Sequence, residues 1–154
     1  MCASKMRNLL YLLLLSPIVF ADMKPLDEYI QSQSEIGLTQ VIYINYRCIG
    51  LYGMVVNVTD NSSQDNSKNI RGIAETNSKK LMDETYKLWA SVREDKSFGA
   101  YIQNLKDTVQ PIADNYQNLA NDNWINNGAY FEGNELLIGD IAICGTMAGL
   151  YEDK

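Results

Sequence analysis

Two thiols, one carboxylate and a cluster of aromatic rings are the side chains of this sequence that could do chemistry. Cys48 lies in the middle of one long apolar run and Cys144 in a second near the C-terminal end, while Cys2 precedes the apolar core of an N-terminal leader. Oxidising compartments favour pairing of such an even set, so a Cys48 to Cys144 disulfide is expected. Closing a ring of about 100 residues stabilises by at most about 4 to 5 kcal/mol, comparable with the whole net stability of a small domain. Asp140 precedes Cys144 by one helical turn and projects between Met147 and Tyr151, which marks it as the carboxylate to be buried. A buried acid needs a specific donor or a raised pKa, and Tyr52 or Tyr46 is the donor expected here. Asn45 also falls on an apolar arc and must find hydrogen-bond partners. Asn45, Tyr52 and Asp140 together could instead line a small-ligand pocket between the first and last long helices. Trp124, Tyr130 and Phe131 sit among turn residues, where aromatic rings either plug the end of a helical bundle or anchor a partner.

Other chemistry is missing. The chain has no histidine, which removes the usual general base, the imidazole metal ligand and the Ser-His-Asp arrangement together. No CxxCH or CxxC segment occurs, nor any phosphate-cradling glycine loop. Glycoside hydrolysis by carboxylates alone needs two acids facing across a cleft, and the adjacent Asp83 and Glu84 do not face each other on a helix. The acid- and amide-rich stretches around Thr59 to Asn69 and before Glu132 lack the ligand alternation and placed glycine of a calcium loop. The expectation is a protein that is not an enzyme and holds no metal or cofactor.

The leader consists of a basic start (Lys5, Arg7), an apolar core from Leu9 to Phe20 and Val19-Phe20-Ala21 at the cleavage position, the form of a secretory signal peptide. Residues 1–21 are therefore expected to be removed, leaving 22–154 as a single helical domain in the periplasm or outside the cell. Losing Lys5 and Arg7 takes the net charge from −6 to −8. Nucleic-acid binding depends on clustered Lys and Arg, so an acidic surface argues against a nucleic-acid partner and against a membrane once the leader is gone. Asn57-Val58-Thr59 and Asn61-Ser62-Ser63 match the glycosylation triplet of eukaryotic secretion.

Four helices must position these groups. Asp22 to Ser34 reads as a polar lead-in with a single turn opened by Pro25. The first long helix runs from Ile36 to Val58 with Ser34 as N-cap; Thr39, Gln40, Arg47 and Asn57 gather in one polar sector opposite a wide apolar arc. Thr59 to Asn69 is a polar linker. The second helix runs from about Lys68 or Ile70 to Asp95. The third starts at the N-cap Ser97 and continues to about Leu119 or Asn121, with Phe98, Ile102, Leu105, Val109, Ile112 and Tyr116 on one face and Pro111 on the polar side. Asn121 to Asn134 is the aromatic connection. The fourth helix, Glu135 to Tyr151, carries Ala142, Gly145 and Gly149 as a small-residue strip expected to pack closely against the first.

These predict an all-α, single-domain, four-helix up-down-up-down bundle with a disulfide between helices 1 and 4. The layout of signal peptide, four helices and cysteines in the first and last helix is similar to that of small helical immunity and inhibitor proteins of the bacterial periplasm. The similarity covers architecture and cysteine placement, not a residue motif. The expected function is binding of an unidentified protein partner through the loop from Trp124 to Phe131, the alternative being a small-ligand carrier.

Overall fold

Leu38–Asp60 (α2) is the axis of the molecule: the nine successive residues Ile44 to Tyr52 are all buried, so more than two turns of this helix have no solvent-facing side. The computed structural model describes residues 23–60 and 65–151; the predicted leader and the Asn61-Ser62-Ser63 triplet lie outside the described residues. Around α2 stand α1 (Leu26–Ser32), α3 (Asp65–Ser91), α4 (Phe98–Asn127) and α5 (Glu135–Gly149). The described residues form an all-helical bundle of five helices, not four. The extra element, α1, is the lead-in: Pro25 accepts a backbone bond from Tyr29 at 3.0 Å, and the fully buried Leu26 pins the short helix to the core. Tyr29 packs on Tyr43 of α2 with ring centroids 4.7 Å apart.

The neighbours of α2 follow from its cross-links. Asp60 pairs with Arg71 and the Tyr52 hydroxyl accepts from Asn77 at 3.1 Å, whereas Trp89 lines a groove with Ile42 and Tyr46, so α3 runs antiparallel to α2. Along α4 the partners advance in step with α2: Tyr46 donates to Asn104, Gly50 faces Ile112 and Ala113, and Asn57 donates to Gln117 at 2.8 Å. On α5, Cys144 meets Cys48 in a disulfide with Cα atoms 5.2 Å apart. Both cysteines are fully buried. By length and composition α2 could cross a membrane, but 67% of its most apolar window is covered by the other helices.

Several boundaries depart from expectation for local reasons. Thr59 and Asp60 belong to α2, because the Thr59 hydroxyl folds back onto the carbonyls of Val55 (2.7 Å) and Val56 (3.1 Å) and so stays inside the helix. Helix α4 continues past Asn121 to Asn127, where Gly128 ends it in the left-handed conformation (φ 73°) with its N–H on the Trp124 carbonyl. The strip of Gly145 and Gly149 meets nothing within 4 Å and both glycines are exposed. Close helix approach falls instead at Gly50, where an added Cβ would lie 2.8 Å from Ile112 Cγ2 and 3.1 Å from the Ala113 nitrogen.

Candidate functional site

The groups singled out in the sequence separate into a buried polar centre and an exposed aromatic turn. Asp140 is indeed buried, but its partners are Arg47, Tyr116 and the backbone. Its Oδ2 accepts from Arg47 Nη2 at 2.7 Å and from the Tyr116 hydroxyl at 2.5 Å, and its Oδ1 accepts from the Leu26 N–H at 2.7 Å. Arg47 Nε donates to the Tyr116 oxygen at 2.9 Å, and Nη2 also reaches the Lys24 carbonyl at 3.0 Å. The guanidinium carbon lies 5.3 Å from the centroid of the Tyr116 ring.

Arg47 therefore leaves the polar sector in which it was projected with Thr39, Gln40 and Asn57. It is only 2% exposed, because α1 and α5 cover the side of α2 on which it lies. Burial by itself would lower its pKa, but Tyr116 and Asp140 outweigh that and hold it above the ordinary arginine value. Burial raises the Tyr116 phenol well above the usual tyrosine range against the opposing pull of Arg47. Both carboxylate oxygens of Asp140 thus accept hydrogen bonds, which suits a charge pair that ties four helices together. Neither Tyr46 nor Tyr52 is its donor.

The three residues of the expected small-ligand pocket take different directions. Asp140 is enclosed by the pair just described, and the Tyr52 hydroxyl turns to Asn77 on α3. Asn45 donates to the Tyr151 hydroxyl at 3.2 Å, while its Oδ1 is buried with no hydrogen-bond donor among the described residues. Among the described residues, no three of His, Cys, Asp and Glu converge as metal ligands.

The aromatic turn is built differently. Trp124 lies on the last turn of α4, and its ring stacks on Tyr130 with centroids 4.8 Å apart and planes 22° from parallel. Phe131 continues the cluster at 6.5 Å from Tyr130. Trp124 keeps half of its surface exposed and Ile125 beside it 77%. Asn123 fixes the frame: its Nδ2 donates to the carbonyls of Ala129 (2.7 Å) and Glu132 (2.9 Å), and its Oδ1 accepts from Asn127 at 2.6 Å. Asn134 then caps α5 by accepting from the Leu137 N–H at 3.0 Å, and Gly133 (φ 84°) supplies the conformation that precedes it. A seven-residue connection is thereby held by side-chain bonds at both ends. The sequence named the rings but not Asn123, one of many asparagines in this stretch.

The charged residues of the segment that carries this turn have one sign. From Asp107 to Tyr151 there is no lysine or arginine, and Asp122, Glu132 and Glu135 flank the aromatic rings. Comparison of the chain with protein families, with curated proteins and with solved structures finds no match.

Proposed function

We propose that this chain is a protein-binding module of the periplasm or the extracellular space, and that the turn carrying Trp124, Tyr130 and Phe131 is its contact surface. The observation behind this reading is the half-exposed Trp124 and Tyr130 stack held in a preset frame by Asn123. Large aromatic rings presented at low entropic cost are what interface hot spots are made of. The acidic flank adds a second requirement, a partner whose rim is basic, since complementary charge steers association and suppresses wrong partners. The leader and the buried disulfide support export to an oxidising compartment.

The reading is tested by capture from a host extract with the mature protein, beside a variant carrying Trp124→Ala, Tyr130→Ala and Phe131→Ala. Loss of a captured protein with the triple variant, at unchanged helicity, together with weaker capture as salt rises, is the expected result. Equal capture by both forms would remove the turn from consideration.

A further inference from the structure

The opposite end of the bundle holds a groove that the reading above does not use. It is bounded by the N-terminal half of α2, the C-terminal end of α3 and the N-terminal half of α4, encloses about 410 Å³, and is lined by Ile42, Tyr43, Tyr46, Trp89, Arg93 and Asn104 among others. That volume falls in the ordinary range of small-molecule sites, about 300 to 1,000 Å³. A second groove continues from it around the Trp89, Arg93 and Asn104 edge.

The polar groups of this groove are biased toward hydrogen-bond donors. Trp89 is buried, and its Nε1 has no acceptor, although an indole N–H can only donate and normally finds a partner when buried. The Arg93 guanidinium lies 5.9 Å from the Trp89 ring centroid, and among the described residues no carboxylate pairs with it. Tyr46 gives its hydroxyl proton to Asn104 Oδ1, which leaves the Asn104 amide nitrogen as a further donor. The two acids that follow Arg93, Glu94 and Asp95, line the continuing groove and not this one, and Asp95 accepts from the Ser97 N–H at 2.9 Å. Donors without acceptors, one of them cationic, beside an aromatic and aliphatic floor call for a ligand with a flat apolar body and an anionic head.

We propose that this groove binds a small aromatic carboxylate, its ring against Tyr43, Tyr46 and Ile42 and its carboxylate on Arg93 with the Asn104 amide as the neighbouring donor. The site lies apart from the aromatic turn and stands whether or not that turn binds protein.

Trp89 and Trp124 are the two tryptophans of the chain, so Trp124→Phe leaves Trp89 as the sole reporter. Titration of that protein with 3-phenylpropionate should give a saturable change in Trp89 emission with a Kd of about 1 mM, as expected for a ligand of this size. The indole N–H resonance of Trp89 should shift over the same concentration range. The uncharged 3-phenylpropanamide should bind roughly tenfold more weakly or worse, and so should the acid to an Arg93→Gln variant, because a charge-assisted bond is lost in each case. Arg93 is exposed and follows the end of α3, so its replacement leaves the bundle intact, and far-ultraviolet circular dichroism checks this. An unsaturable response, equal binding of acid and amide, or full affinity in Arg93→Gln would each overturn the proposal.

Discussion

At the scale of single residues, Arg47 and Asp140 decide most about the interior. Each is buried, so neither can return its charge to water, and the energetics are those of a pair inside a protein. Replacing Arg47 by Met should destabilise the fold by about 3 to 5 kcal/mol, since the carboxylate then stays buried without its cation. Asp140→Asn should also destabilise, and the double variant should cost less than the two singles added together. Urea unfolding of the four proteins checks this, and strict additivity would show that the pair is not coupled. Because Arg47 also holds the Lys24 carbonyl and Asp140 the Leu26 N–H, Arg47→Met should speed hydrogen exchange in α1 before it affects α3. Asp140 was legible as a buried acid from its place on the helix wheel. Arg47 was not, because a wheel assumes that some side of each helix faces water and this stretch of α2 has none.

At the scale of elements, the close approach of α2 and α4 rests on Gly50. An added methyl group would press on Ile112 and on the Ala113 backbone; the side chain can shift but the backbone has less room. Alanine at an ordinary helical position would be favoured over glycine by roughly 0.5 to 1 kcal/mol. Here the overpacking of about 1 to 3 kcal/mol should exceed that gain, so Gly50→Ala is expected to lower thermal stability, whereas Gly145→Ala, facing open space, should raise it slightly. Melting curves of the two variants test the contrast, and a stabilised Gly50→Ala would refute the tight contact. The helices themselves were readable from apolar spacing, the N-cap Ser97 and the position of Pro111 on the exposed side of α4. Their ends were less so: turn-forming residues such as Asn121 and Asn123 lie within α4, where Asn123 uses its side chain to hold the following loop.

At the scale of the whole molecule, three of the buried phenols donate hydrogen bonds across helix interfaces. Tyr46 joins α2 to α4 through Asn104, Tyr101 joins α4 to α3 by donating to the Met82 carbonyl at 2.8 Å, and Tyr116 joins α4 to α5 through Asp140. Burial is the main cause that raises all three, Tyr46 to about 12 and the other two further. In the unfolded chain such phenols lose their protons near pH 10. Above that pH the unfolded state binds fewer protons than the folded one, so stability must fall as pH rises. The tyrosine contribution is complete below about pH 10 and, for Tyr46, is lost as pH climbs through about 12. Phenolate absorbance and helicity followed together should show exposed tyrosines ionising first, and the buried ones only as the bundle comes apart. Titration of every tyrosine near pH 10 with helicity intact would contradict this.

By itself the sequence determined the helical class, the pairing of Cys48 with Cys144, the burial of Asp140 and the clustering of Trp124, Tyr130 and Phe131. These follow from periodicity, from the count of thiols and from composition, all properties of one segment or of two residues at a time. Only the tertiary structure decided that Arg47 points inward, that Gly50 and not the Gly145 strip is where helices touch, and that the lead-in is a fifth helix docked on the charge pair. Each of those depends on which faces several helices present to one another at once, and the spacing of residues along one helix contains no record of its neighbours.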